Sequence, residues 1–131
     1  MILVDSSVWI DYFNGVKNSQ TDYLFANLGL ENFATGDLIM VEVLQGFKTE
    51  KVFRKAEDLF SELHYFDMVG GVTSLKAAKN YRLLKNRGFT IRKTIDILIA
   101  TFCIENEVIL LHNDKDFKMA ESQLGLKIVQ Y

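Results

Sequence analysis

Short apolar runs alternate along this chain with stretches in which apolar residues recur at helical spacing. The first run, Met1 to Val4, contains β-branched residues and stops at Asp5, Ser6 and Ser7, residue types that commonly begin helices. The run from Val108 to Leu111 is continuously apolar, as strands inside a parallel sheet are. Weaker patterns predict three further strands, at residues 32–36, 65–69 and 127–129.

Helical spacing predicts helices between these strands. They are expected at residues 8–13, 23–28, 37–47, 50–63, 73–87, 94–104 and 115–123. The helix capped by Thr94 has almost no polar face, so we expect it to be buried. The β-α-β-α order predicts a three-layer α/β/α sandwich around a mostly parallel sheet of four or five strands. No repeat, linker or low-complexity segment interrupts the chain, which predicts a single domain over residues 1–131.

Composition is that of a compact globular protein, with 131 residues, 49% of them hydrophobic and 24% charged. There is no run of about 18 apolar residues and no leader-like start, so we expect a cytoplasmic protein without a membrane span. One cysteine, Cys103, lies in an apolar run. It is expected in the core, and the chain has too few thiols for a disulfide framework or a cysteine zinc site.

Acidic residues occur at the predicted strand ends and helix starts. Asp5 follows the first strand, Asp114 and Asp116 follow the strand at 108–111, and Asp96 enters the buried helix. Glu42 is the only charged residue between Leu38 and Phe47. Because ligands of open parallel sheets bind beyond the carboxyl ends of the strands, we expect one shared acidic pocket there.

Each acid also has a simpler interpretation. Asp5 can cap the first helix, Asp96 can pair with a helix dipole, Glu42 can lie on a solvated stripe, and Asp114 or Asp116 can cap the last helix. No Lys or Arg is expected to neutralise Asp5 or Asp96. A carboxylate cluster without a cationic partner favours a hard cation such as Mg²⁺, which supports metal-assisted hydrolysis.

Histidine is scarce and basic residues are concentrated. His64, at a predicted helix end, is expected to be structural, whereas His112 lies near the acidic pocket and is a candidate supporting residue. A net charge of −2 argues against wholesale electrostatic capture of a nucleic acid. However, residues 68–95 contain no acid and form either a solvated helix face or a flank that binds phosphates. The basic residues in this segment are Lys76, Lys79, Arg82, Lys85, Arg87, Arg92 and Lys93.

Four ordered segments resemble the PIN-domain ribonucleases, and specifically the VapC-type toxins of bacterial toxin–antitoxin pairs. The segments are Val4-Asp5-Ser6-Ser7, residues 42–46 (EVLQG), residues 90–100 (TIRKTIDILIA) and residues 112–117 (HNDKDF). The resemblance covers essentially the whole chain. It implies a PIN-like fold and an endoribonuclease that depends on Mg²⁺ or Mn²⁺.

The resemblance also implies partners. Members of this family mostly cut structured RNA, often a transfer RNA, are commonly homodimers, and are inhibited by a small VapB-type antitoxin. Surplus aromatic residues could supply an apolar interface between copies: Trp9, Tyr12, Phe13 and Phe47. The alternative interpretation is a catalytically silent PIN-like binding module in which the acids are only caps.

Site roles follow from the same resemblance. Asp5 and Asp96 match the central metal ligands, and Glu42 matches the acid that holds or orients the attacking water. The fourth acid is left open between Asp114 and Asp116, since members of the family use either position.

Two further residues are expected to support the site. Ser6 matches a small hydroxyl residue that positions a ligand or a water on the metal. Arg92 is expected either to contact a phosphate near the site or to pack against the sheet.

Overall fold

The computed structural model describes residues 1–131 and contains four strands and seven helices. The strands are β1 (Ile2–Val4), β2 (Phe33–Gly36), β3 (His64–Phe66) and β4 (Ile109–Leu111). The helices are α1 (Ser6–Phe13), α2 (Ser19–Asn27), α3 (Asp37–Leu44), α4 (Glu50–Ser61), α5 (Gly71–Asn86), α6 (Thr94–Glu105) and α7 (Asp116–Leu124).

All strand pairs are parallel, and the order across the sheet is β3-β2-β1-β4. The register places Val4 opposite Leu111 and Leu3 opposite Ala34. The chain advances from β1 through β2 to β3, then crosses back to add β4 on the other side of β1. The carboxyl ends of β1 and β4 therefore flank a switch point, the place where open parallel sheets bind ligands.

The helices form two groups. Helix α1 packs against α2 and α3, and α3 packs against α4, whereas α5, α6 and α7 pack against one another. The chain crosses the sheet in one direction from β1 to β3 and in the other from β3 to β4, so crossovers of the usual right hand place these groups on opposite faces. This arrangement is the predicted three-layer sandwich. No helix combines the length and hydropathy that crossing a bilayer requires.

Helix α6 is the buried helix that its sequence predicted. Ile97, Ile99, Ala100, Phe102 and Cys103 on this helix are all buried. Burial raises the pKa of the Cys103 thiol, so this residue is an inert part of the core.

The aromatic residues of α1 pack inward. Trp9 is fully buried, and its ring centroid lies 5.2 Å from that of Phe60 and 5.9 Å from that of Phe13. Tyr12 and Phe47 are partly buried and pack against the same core. Trp9 therefore cannot supply an interface between copies, whereas Tyr12, Phe13 and Phe47 are only partly buried and stay candidates for one.

Two predicted strands are shorter than expected. Strand β3 ends at Phe66 instead of continuing to Val69, because the Met68 N–H donates to Asp37 Oδ1 at 3.0 Å and not to a neighbouring strand. Of residues 127–129, only Ile128 forms a β-bridge, a parallel one with Leu110.

Two other local predictions are also wrong. His64 lies in β3, where its ring contacts that of Phe66, and not at a helix end. Thr94 is the first residue of α6, and the residue at the cap is Lys93, which makes no side-chain capping bond. The sequence predicted Thr94 as the cap because threonine is a common residue at that position.

Gly36 ends β2 at a point with no room for a side chain. A Cβ atom there would meet the side chain of Met68, which is buried, and lie 2.9 Å from the Phe66 carbonyl oxygen. We expect Gly36→Ala to lower the free energy of unfolding by about 1–3 kcal/mol, because overpacking displaces neighbouring backbone. Urea unfolding followed by circular dichroism measures the loss.

Gly46→Ala is the matched control for this prediction. A Cβ atom at Gly46 would lie 3.6 Å from the nearest atom, an ordinary van der Waals distance. Equal losses of stability in the two variants would contradict the steric argument.

Candidate active site

Asp5 leaves the carboxyl end of β1 and caps helix α1. Its Oδ2 accepts hydrogen bonds from the Ser7 backbone N–H at 3.0 Å and from Ser7 Oγ at 2.6 Å. Its Oδ1 is buried and has no hydrogen-bond partner. Burial raises the pKa of this carboxyl, an effect that the Ser7 hydrogen bonds partly offset. Asp5 is therefore both a cap and a carboxylate with one oxygen available to a ligand.

Asp96 lies in the first turn of α6 and is 3% exposed. Its Oδ2 is also buried without a partner. Burial, followed by the negative charges of Asp5 and Asp114, raises the pKa of Asp96 to about 7. Two buried carboxylates that repel each other, each with a partnerless oxygen, are costly to leave without a compensating ligand.

Glu42 joins this group from helix α3. Its Oε1 accepts a hydrogen bond from Ser6 Oγ at 3.1 Å, and the residue is half-buried. Burial and the charge of Asp5 raise its pKa, whereas the Ser6 hydrogen bond opposes the increase. Ser6, which follows Asp5 in the chain, therefore orients the Glu42 carboxylate.

Asp114 and Asp116 follow β4 and differ in burial and in hydrogen-bond partners. Asp114 is half-buried, and its Oδ1 accepts from the Asp116 backbone N–H at 2.9 Å. The side chain of Asp116 is 2% exposed, and its Oδ2 accepts from Arg92 Nε at 3.3 Å. One carboxylate oxygen from each of these residues and from Asp96 lie within 4.8 Å of one another. Both candidates for the fourth acid are thus in the cluster, but only Asp116 has a cationic partner.

The chemistry of this donor set fits a divalent cation. It consists of carboxylate oxygens, which Mg²⁺ and Mn²⁺ prefer, and it contains no thiolate or imidazole among the clustered ligand atoms. The partnerless oxygens of Asp5 and Asp96 supply the independent observation that a positive charge belongs here. The residues that could hold it are Asp96, Asp114 and Asp116, whose oxygens form this cluster, together with Asp5, which is not part of the cluster but has a partnerless Oδ1.

A family model described as "PIN domain" matches residues 2–122. The chain belongs to the PIN domain family. It is 29% identical to Ribonuclease VapC11 of Mycobacterium tuberculosis over 100% of this chain and 99% of that protein. It is 31% identical to Ribonuclease VapC1 of Methanocaldococcus jannaschii over 97% of this chain and 85% of that protein.

A solved structure supports the fold of this PIN domain. The structure of VapBC2 from Rickettsia felis bound to a promoter DNA fragment matches with a TM-score of 0.75 and 20% identity. The match covers 100% of this chain and 99% of that one.

Two cations lie beside the acids of this PIN domain, and one of them, Lys93, contradicts the expectation that no Lys or Arg offsets the charge of Asp96. Lys93 precedes α6, and its charge lowers the pKa values of both Asp96 and Glu42. Arg92 forms the ion pair with Asp116 while its own side chain remains 63% exposed. The sequence did not show the interactions with Glu42 and Asp116, because these acids lie far from residues 92–93 along the chain. Lys93 is only three positions before Asp96, so that interaction was visible in the sequence and was missed.

The remaining basic residues lie along α5 and do not all face the site. Lys76 Nζ forms an ion pair with Glu105 Oε2 at 3.0 Å. Glu105 ends α6, and the helical rise places it about 14 Å from Asp96. Lys79, Arg82 and Lys85 are exposed on the same helix. The structure therefore brings Arg92 and Lys93 to the acidic cluster and leaves Lys76 at the opposite end of α6.

Sequence reasoning missed Ser7 and Asn113. Ser7 Oγ donates to Asp5 Oδ2 and accepts from the Asn113 backbone N–H at 3.0 Å, so it joins the ends of β1 and β4. The hydroxyl residue two positions after an acidic helix cap was an available signal. The contact with Asn113 was not, because it spans 106 positions.

Proposed function

We propose that this PIN domain is a metal-dependent endoribonuclease that hydrolyses phosphodiester bonds in RNA. The observation that carries the proposal is the convergence of two buried carboxylates, Asp5 and Asp96, each with a partnerless oxygen. The ribonuclease names of its relatives support the same reaction class. We further propose that residues 1–131 act as one domain.

Asp5, Asp96, Asp114 and Asp116 are the proposed metal ligands, with Mg²⁺ as the cation and Mn²⁺ as a substitute. A bound divalent cation supplies Lewis acidity, which makes water more acidic and offsets negative charge on a phosphodiester. Ser7 holds Asp5 so that Oδ1 faces away from its capping bonds. Arg92 holds Asp116 through Oδ2 and leaves the other oxygen of that carboxylate available.

Glu42 is proposed to accept a proton from the attacking water. Ser6 holds one carboxylate oxygen of Glu42, which leaves the other free for water. A raised pKa brings a carboxyl closer to the range in which a general base works at neutral pH. In this proposal Asp5, Glu42, Asp96 and Asp114 form the catalytic group, and Ser6 positions Glu42.

Arg92 and Lys93 are the proposed phosphate contacts beside the cluster, with Lys79, Arg82 and Lys85 along α5. We expect Lys93→Ala to weaken RNA binding about tenfold and to reduce the slope of log affinity against log salt by about one, because one phosphate contact is lost. Fluorescence anisotropy with labelled RNA in EDTA at several salt concentrations measures both.

Lys76→Ala is the matched control, since Lys76 lies in the same basic segment but pairs with Glu105. We expect it to change RNA affinity by less than about twofold. Equal weakening by the two substitutions would show that the whole segment, and not the end near the cluster, binds RNA.

We infer that the enzyme is the toxin of a toxin–antitoxin pair, acts in the cytoplasm as a homodimer, and cleaves a structured RNA such as a transfer RNA. The solved complex of VapBC2 supports a VapB-type antitoxin as the partner. Expression of the chain should arrest growth, and co-expression of the product of the adjacent gene should relieve the arrest. Arrest that persists with Asp5→Asn would contradict a toxin that acts by cleavage.

Incubation of the purified protein with total RNA tests the activity directly. We expect fragments with Mg²⁺ or Mn²⁺ and none with EDTA. Fragments that persist in EDTA would contradict the metal-dependent reaction. If no fragments form under any condition while Mg²⁺ leaves the melting temperature unchanged, the catalytically silent module becomes the better interpretation, because Asp5 also serves as a helix cap.

A further inference from the structure

A chain of hydrogen bonds connects helix α7 to the acidic cluster through His112. His112 Nε2 lies 3.0 Å from Glu121 Oε2, and the Asp114 backbone nitrogen lies 3.2 Å from His112 Nδ1. The His112 side chain is 7% exposed, and its ring centroid lies 5.0 Å from that of Phe117. The imidazole is therefore held on both nitrogens and packed on one face.

The partners of the ring define its tautomer. A backbone N–H can only donate, so Nδ1 of His112 is the acceptor for Asp114. The ring proton then resides on Nε2, where it points at the Glu121 carboxylate, which accepts it. Glu121 thus favours the tautomer whose Nδ1 lone pair faces the loop.

Two hydrogen bonds hold the loop that follows β4. His112 anchors the backbone of Asp114, and the Asp116 N–H donates to Asp114 Oδ1. The first bond sets where the backbone of Asp114 lies, and the second sets how its carboxylate is turned. Loss of the first bond would remove the side-chain contact at the Asp114 backbone nitrogen and leave Ser7 holding only the adjacent Asn113 N–H.

We propose that His112 is a positioning residue that places Asp114 in the acidic cluster, and that Glu121 selects the imidazole tautomer that this requires. The proposal rests on the proposed function only where it treats Asp114 as a metal ligand. Outer partners of metal ligands typically change metal affinity 10- to 100-fold when removed.

Nuclear magnetic resonance tests the tautomer without reference to activity. Long-range ¹H–¹⁵N correlation spectra of the metal-free protein at pH 8 should show His112 protonated on Nε2. Glu121→Leu should raise the fraction of rings protonated on Nδ1 above the wild-type fraction, because only the Asp114 N–H then disfavours that tautomer. Glu121→Gln should retain the wild-type pattern because its amide oxygen still accepts. Protonation on Nδ1 in the wild-type protein would overturn the proposal.

Metal binding by RNA-free protein tests the consequence. We expect His112→Leu to weaken Mn²⁺ binding about tenfold or more, measured by isothermal titration calorimetry. His112→Asn should stay within about threefold of wild type, because an Asn side chain accepts the N–H two residues later in an Asx turn. Equal affinity in His112→Leu and wild type, or equal losses in the Asn and Leu variants, would overturn the positioning role.

The tautomer spectra and the Mn²⁺ affinities distinguish a failure of the positioning role of His112 from a failure of the proposed ribonuclease function. A wild-type protein that binds no Mn²⁺ would overturn the proposed function, and the tautomer spectra would still decide the arrangement of Glu121, His112 and Asp114. A wild-type protein that binds Mn²⁺, together with a folded His112→Leu variant that binds it equally well, would overturn the positioning role alone. Far-ultraviolet circular dichroism and thermal melting establish that each variant is folded.

Discussion

Replacement of Asp5 by asparagine is expected to reduce metal-dependent RNA cleavage by about a thousandfold while the protein stays folded. Asparagine keeps an oxygen that accepts the Ser7 bonds, and Asn and Asp are comparable helix caps. The substitution removes the negative charge and with it the strongest reason for a cation to bind beside Asp96. Initial cleavage rates with labelled RNA in Mg²⁺, with melting temperatures in EDTA, measure the two effects separately.

Asp58→Asn is the matched control for this change, since Asp58 is an exposed acid on α4. It should cleave RNA at the wild-type rate. Cleavage by Asp5→Asn within about tenfold of wild type would show that Asp5 is a cap and not a metal ligand.

Asp96→Asn is expected to reduce the amount by which the free energy of unfolding of the metal-free protein falls as the pH rises. The pKa of Asp96 is raised from 3.8 to about 7, so the folded state holds a proton that the unfolded chain has lost between these values. The stability that comes from this proton is fully present below about pH 4 and disappears as the pH rises through about 7. The asparagine variant has no such proton to lose.

The expected size of this difference is about 2 kcal/mol between pH 5 and pH 8. Urea unfolding in EDTA at both pH values measures it for the wild type and for Asp96→Asn. The wild type should lose more stability, and Asp58→Asn should follow the wild type. Parallel losses in the wild type and Asp96→Asn would show that Asp96 is not the group that titrates.

The fold was largely predictable because most of its elements carry local signals. The apolar run at β4 and the all-round apolar surface of α6 are properties of consecutive residues, and each occurs where it was predicted. Strand β3 was predicted to be too long, because Asp37 takes the Met68 N–H from a distance of 31 positions. Trp9 was expected at an interface but lies in the core, because sequence shows hydrophobicity but not which face a neighbour covers.

The candidate site was predictable as a set of residue types at strand ends, but not as a set of contacts. The placement of Asp5 and of Asp114 after strands was enough to expect a shared pocket. It did not reveal that Ser6 holds Glu42, that Arg92 holds Asp116, or that Lys93 offsets the charge of Asp96. The first two of these interactions join residues from different elements, whereas Lys93 lies only three positions before Asp96, at the cap of the same helix.

By itself, therefore, the sequence determined the alternation of strands and helices, the buried helix, and the acids that follow β1 and β4. Only the tertiary structure decided which acids keep a free oxygen and which are neutralised. The physical reason is that hydrophobic periodicity acts between near neighbours, whereas a buried charge is controlled by every group within a few ångströms. Asp96 and Asp116 illustrate the difference: both are buried, but only Asp116 has an arginine against it.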